Sequence, residues 1–299
     1  MTAPGSEASP DASPDASPDA GSDAGSTAAA DTGPAAASDA VSDAGRDAAQ
    51  AHGTERLLRL ELLVVFAITL GLSAVRSLLS LLESLLEPTP LSEQSVALNA
   101  PAARADLIDL AFQLTRVAQL VAWGGLGAYL LVRGGMRLRE VGLGRRPDGR
   151  DVGYGVALAA AVGIPGLGLY LVARALGANL TVLPSTLGDT WWRLPVLIMA
   201  AAANAWAEEV LMTGYLLTRL RQLRYGRHAA LLISAVLRGA YHLYQGFGGF
   251  LGNLAMGLVF GWVWQRTNRL WPLVIAHTAI DVVAFVGYAL LRGRVGWLP

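Results

Sequence analysis

The sequence predicts an all-α fold, a polytopic transmembrane helical bundle of seven to eight spans behind a disordered N-terminal tail. Three observations carry that expectation. Hydrophobic residues make up 53% of the chain and charged ones only 15%, with a mean hydropathy of +0.43, too little charge to clothe a soluble domain. Apolar runs of spanning length recur from Leu57 onward. The zero net charge is also an average over two unlike parts. Residues 1–55 hold ten acids and one base, Arg46, so of the 23 acids and 23 bases, 13 acids and 22 arginines remain for residues 56–299, a balance of +9.

Residues 1–53 are low in complexity, with Ser-Pro-Asp-Ala repeats followed by mixtures of Ala, Gly, Ser and Asp. Such a segment buries too little apolar surface to offset the entropy of ordering, so it reads as a disordered acidic tail. It lacks a basic region followed by an apolar core and is not read as a signal peptide. Residues 54–299 form the second domain, with its motif-bearing core at about 190–291. A helix needs roughly 20 apolar residues to cross about 30 Å of hydrocarbon. Runs of this kind occur near 58–79, 107–132, 153–176, 192–218, 229–245, 247–265 and 270–290, with room for an eighth in 80–100. Backbone polar groups in a bilayer must be satisfied within the segment, so the runs are helices.

The arginines orient the chain. Residues 133–151 carry six, the turn 219–227 four, and 266–269 two, while the alternate loops 80–106 and 177–191 carry only Arg104. Arginine-rich loops stay inside, so these loops and the tail are expected on the cytoplasmic side of a multi-pass cell-membrane protein. With seven spans Arg292 and Arg294 fall outside. Trp191, Trp192, Trp271 and Trp297 lie near span ends, where indole rings favour the headgroup zone. There is no cysteine, which excludes disulfides, thiolate catalysis and cysteine-bound metals.

Charged groups at membrane depth cost about 3 kcal/mol on insertion scales and usually serve function; the last four spans hold several. In Asn204-Ala-Trp-Ala-Glu208-Glu209, Asn204 and Glu208 share a face, and Glu209 points about 100° away. Two adjacent carboxylates in a low dielectric repel, so one can hold a proton while the other serves as a base; helix-bridging carboxylates are the structural alternative. Arg238 and His242 stand four apart, which favours a polar cavity over a lone interhelical bond. Asn253, Gly257 and Gly261 follow on the next span, the glycines permitting close helix approach and Asn253 a cavity position. His277 and Asp281 again stand four apart, as a carboxylate that orients a histidine, a metal-ligating pair, or a buried hydrogen-bonded pair.

In order, Glu-Glu-x-x-x-x-Gly, x-x-x-His, Asn-x-x-x-Gly and His-x-x-x-Asp on successive spans resemble the CPBP family, the CAAX prenyl endopeptidases and the Abi group of bacteriocin-processing and self-immunity proteins. The likeness covers about 190–291. It implies an intramembrane endopeptidase, a hydrolase of the metalloprotease type, in which Glu208 is the general base on water, Glu209 supports it, His242 shares in water activation, and His277 and Asp281 hold the oxyanion and the carbonyl. It implies either no cofactor or a divalent metal such as zinc held by Glu208, His242 and His277. The partners implied are the bilayer and a membrane-embedded or lipidated peptide, with no nucleic acid. Two positions depart from the family pattern. Thr213 stands where an arginine is usual, and Arg238 where a phenylalanine is usual, as if the positive charge that neutralises the glutamates had moved one helix along.

Two other functions compete. One is a non-catalytic CPBP-like scaffold or immunity protein, and the other a proton-coupled transporter relaying through Glu208, Glu209 and Asp281. The second is disfavoured because no internal repeat is visible and the polar groups crowd into the C-terminal half.

Overall fold

The computed structural model describes residues 34–294. Most of the stretch read as a disordered tail, residues 1–33, lies outside them, as does Trp297. The chain divides into two units, Met1–Ala51 and His52–Pro299, and the polar residues singled out from sequence all lie in the second. Helix α1, Pro34–Ile68, begins inside the stretch expected to be disordered, where alanine's high helix propensity is repeatedly on offer.

The first apolar run is not one rod. α1 gives way at Thr69 to α2, Leu70–Leu86, with a bend of 50°. The Thr69 hydroxyl donates to the Val65 carbonyl at 2.7 Å, a bond that competes with the backbone ladder. α2 stops at Glu87, whose extended backbone is what a following proline imposes, here Pro88. Residues 87–100 then hold a 3₁₀ turn, Leu91–Glu93, and a short strand, β1, Ser95–Ala97. The optional eighth span in 80–100 does not form as a helix of spanning length, because Pro88 and Pro90 interrupt it.

α3 runs Asp106–Arg133 and α4 Gly149–Ala175. Strand β2, Thr181–Leu183, pairs parallel with β1, Ser95 opposite Thr181. α5, Arg193–Glu208, continues as a π-helix, Glu209–Leu216, and as α6, Leu217–Gln222. α7 covers Arg227–Ala240, α8 Phe247–Thr267 and α9 Trp271–Leu291. Among the described residues, four helices are long and apolar enough to cross a membrane, Gly149–Ala175, Arg193–Gln222, Phe247–Thr267 and Trp271–Leu291, or five if bent α1–α2 counts as one. The fold is that of a helical membrane protein.

The helix ends sort into two groups. Arg219 donates to the Leu130 carbonyl and pairs with Glu61. Arg269 pairs with Asp148 and Asp151, and the Trp264 and Trp271 indoles donate to the carbonyls of Val141 and Arg145. These contacts gather the arginine-bearing turns at one end. The β1–β2 pair ties the loop 87–105 to the loop 176–192 at the other. Between the ends, α8 lies close on α7. A Cβ on Gly257 would stand 2.9 Å from the Ala235 Cα, and one on Gly261 2.5 Å from the Leu231 side chain, which meets the expectation of close approach. Of the tryptophans, Trp191 is exposed as a belt residue should be, but Trp192 is not. Its ring is buried with Val196, Leu197 and Phe285, because the first turn of α5 faces inward there.

Candidate active site

Glu208 and Glu209 sit where α5 passes into the π-helix, on the most enclosed of the candidate spans. That enclosure lets both carboxylates avoid lipid although they leave the helix in different directions. Glu209 is wholly buried. It pairs with the Arg238 guanidinium of α7, accepts from the Thr213 hydroxyl at 3.0 Å, and lies 2.8 Å from His277 Nδ1 of α9. Glu208 accepts a 2.6 Å hydrogen bond from the Tyr241 hydroxyl and stands 3.8 Å from Arg238. One cation therefore faces both acids, which compensates the like-charge repulsion expected of the pair.

His242 is not on α7. The helix ends at Ala240, and His242 begins the turn to α8, which Gly246 completes with φ +106°. Its Nδ1 lies 2.9 Å from the Arg238 carbonyl. A carbonyl only accepts, so Nδ1 carries the proton, and a neutral His242 presents the Nε2 lone pair. His277 is held mainly by Glu209; Asp281 Oδ2, one turn along α9, is 3.6 Å from His277 Nε2 and accepts from the Asn204 amide at 3.0 Å.

Glu208, His242, His277 and Asp281 all line one cavity of about 1490 Å³, together with Asn204 and Asn253. The cavity extends from these groups to the β1–β2 end, where Gln94, Val96, Asn99 and Val182 line it. A striped helix forms one wall. α2 turns Ser73, Ser77, Ser80, Ser84 and Glu87 into the chamber and exposes Leu72, Val75, Leu79 and Leu82 on its opposite side, an apolar face suited to lipid. Ser77 also donates to the Tyr241 carbonyl at 2.8 Å, anchoring the residue that holds Glu208.

The order of acid–base residues along α5, the α7–α8 turn and α9 has a counterpart among known proteins. Residues 190–283 match the family model described as type II CAAX prenyl endopeptidase, Rce1-like. Over this segment the chain is similar to that family. The match spans about a third of the chain and includes Glu208, Glu209, His242, His277 and Asp281. No curated protein and no solved structure gives a significant match.

Within the matched segment, the residues singled out from sequence fall into three places. Glu208, His242, His277 and Asp281 face the chamber. Glu209, Thr213 and Arg238 form a buried layer behind them. Asn253 lines the chamber, but its amide donates to the Gly249 carbonyl within its own helix rather than to the carboxylates. Sequence reasoning passed over Tyr241, although it adjoins His242. It also left Asn204 off the site although it stands one turn before Glu208, and it missed Ser77, whose signal was the serine spacing of α2.

The set Glu208, His242 and His277 does not fit a metal ion. Among the described residues no three His, Cys, Asp or Glu side chains are grouped to hold one. A guanidinium also stands beside both glutamates, where a cation would be repelled.

Proposed function

We propose that the chain is an intramembrane endopeptidase that hydrolyses a peptide bond of a membrane-associated substrate with water activated by Glu208. The observation that carries this reading is the convergence of Glu208, His242 and His277, from three separate elements, on one chamber within a helical membrane protein. The similarity of residues 190–283 to type II CAAX prenyl endopeptidases supports it, and the distances at the site support the following roles. With Oε2 held by Tyr241, Glu208 Oε1 is left for water. The water lies between that oxygen and His242 Nε2, gives a proton to Glu208 and attacks the carbonyl carbon. The electron pair moves onto the carbonyl oxygen, and His277, carrying both protons, holds Nδ1–H against Glu209 and offers Nε2–H to the new oxyanion. Collapse breaks the C–N bond as Glu208 passes its proton to the leaving nitrogen, which restores the carboxylate. Asp281 is an acceptor when ionised and cannot itself donate to an oxyanion, so its role is to orient His277.

The membrane arrangement in this reading has seven crossings: bent α1–α2, then α3, α4, α5–α6, α7, α8 and α9. The positive-inside rule puts the arginine-bearing end and the acidic N-terminal segment in the cytoplasm, and the chamber then opens toward the opposite face. The guanidinium beside both glutamates favours a glutamate-based mechanism over metal-bound water. Glu208→Gln is expected to abolish cleavage while the protein still folds. The test compares membrane proteomes of cells carrying wild type and the variant. Uncleaved precursors should accumulate only with Glu208→Gln; identical proteomes would leave the scaffold reading standing.

A further inference from the structure

The β1–β2 pair at the mouth of the chamber leaves one of its two edges open. Ser95 lies opposite Thr181 and Ala97 opposite Leu183. The Thr181 N–H donates to the Gln94 carbonyl at 2.9 Å, and the Leu98 N–H to the Leu183 carbonyl at 3.0 Å. Along a strand of a parallel ladder, the N–H and C=O of one residue point to one side and those of its neighbours to the other. Gln94, Val96 and Leu98 therefore face β2, and the N–H and C=O of Ser95 and Ala97 face away from it.

The outward edge of β2 is already taken. The Val182 N–H donates to the Tyr170 hydroxyl of α4 at 3.0 Å, and the Leu180 N–H to the Gln245 carbonyl in the α7–α8 turn at 3.0 Å. On β1, nothing among the described residues pairs with the outward groups of Ser95 or Ala97. Ser95 is exposed and lines the chamber. An open edge is a template for a further strand, and proteins commonly blunt one with charge or proline. From Ser95 to Leu98, β1 carries neither.

One face of the sheet belongs to the chamber. Val96, Leu98, Leu180 and Val182 line it, as the two-residue alternation of strands requires. The sheet also stands close to the reacting groups. Leu180 is bonded to Gln245, and the Gln245 N–H donates to the His242 carbonyl at 3.0 Å. A single 3₁₀ turn, about 6 Å of rise at 2 Å per residue, thus separates the partner of β2 from His242. A peptide bond offered to water must leave its helix, and the unwound neighbours then need new hydrogen-bond partners, because unsatisfied backbone groups are costly in a dry setting.

We propose that the outward edge of β1 binds an extended segment of the substrate's backbone, which adds as a third strand through the N–H and C=O groups of Ser95 and Ala97. The class of ligand rests on the peptidase reading. Recognition of this kind reads the main chain and leaves selectivity to alternate side chains, here those lying beside Val96 and Leu98 over the chamber.

Binding is measured to the full-length Glu208→Gln variant in phosphatidylcholine nanodiscs. The probes are an N-palmitoylated hexapeptide amide, Ala-Val-Ala-Val-Ala-Leu, and a twin N-methylated at residues two to five. The twin loses donors on both of its edges while becoming more apolar. The parent is expected to bind roughly tenfold or more tightly, the size of one to two backbone hydrogen bonds. In the same background, Ser95→Pro removes one outward N–H and leaves the bonds to β2 in place, so it should narrow the gap between parent and twin. Ser95→Ala keeps that N–H and should preserve the gap. A carbon-13 label on the third carbonyl of the bound parent should give the infrared band of a paired strand. Equal binding of parent and twin, binding of neither, unchanged discrimination in Ser95→Pro, lost discrimination in Ser95→Ala, or a helical band each overturns the proposal. None of these readings needs cleavage. Edge binding by a protein that never cleaves would refute the peptidase reading and leave the site intact, whereas precursors that accumulate with Glu208→Gln beside equal binding would refute the edge alone.

Discussion

At the scale of single residues, Arg238 decides whether two carboxylates can coexist inside the membrane. Its guanidinium is almost wholly buried, faces Glu209 directly and Glu208 at 3.8 Å, and its carbonyl sets the His242 tautomer. Arg238→Leu leaves both acids without their cation, and removing one partner of a buried pair costs about 3–5 kcal/mol. Thermal unfolding in detergent should show that loss together with loss of cleavage; wild-type stability and activity would refute the relocated-charge reading. The pairing of Asn204 with Glu208 and of His277 with Asp281 on shared faces was legible in four-residue spacing, since helical periodicity alone sets it. The same spacing suggested one face for Arg238 and His242, but the helix ends between them. They cooperate through a backbone carbonyl instead, a relation that spacing cannot reveal.

Among elements, α4 shows how a loop–helix junction is built at the arginine-bearing end. Asp148 caps the helix, and its side chain accepts from the Asp151 amide in a reciprocal capping box. That backbone hydrogen bond, with the Arg145 and Arg269 charges adding to it against a desolvation that opposes them, holds the Asp148 carboxyl below its ordinary 3.8. A carboxylate with a lowered folded value contributes stability above its unfolded value and loses it as pH falls through the folded one. The contribution of Asp148 should therefore be present at neutral pH and fade below about pH 4. Melting curves of wild type and Asp148→Ala should differ at pH 7 and converge in acid; a constant gap would show that the carboxylate's charge is not what stabilises the cap. The aspartates beside arginines here were visible in the sequence. The break at Thr69 and the π-helix from Glu209 were not, because the first arises from a local side-chain bond to the backbone and the second from the packing around an enclosed helix.

For the molecule as a whole, the claim to test is seven crossings with the chamber opening away from the arginine-bearing end. The chain has no cysteine, so single-cysteine variants report position without interference. Gly149→Cys should react with an impermeant maleimide only from the cytoplasmic side, and Gly188→Cys only from the opposite side; a side chain at either position meets nothing within 4 Å. Labelling of both from one side would overturn the crossing pattern. What the sequence determined by itself was the class of the protein and the polar groups, Glu208, His242, His277 and Asp281, that line its chamber. Hydropathy, arginine distribution and four-residue spacing are local quantities, written directly in residue order. Only the tertiary structure decided which glutamate faces the chamber and which is locked behind it, that Tyr241 and Ser77 adjoin the carboxylates, and that His277 Nδ1 is engaged by Glu209. Those outcomes depend on which helices meet and at what depth, and that is settled by packing between residues as distant in the chain as Ser77 and Tyr241.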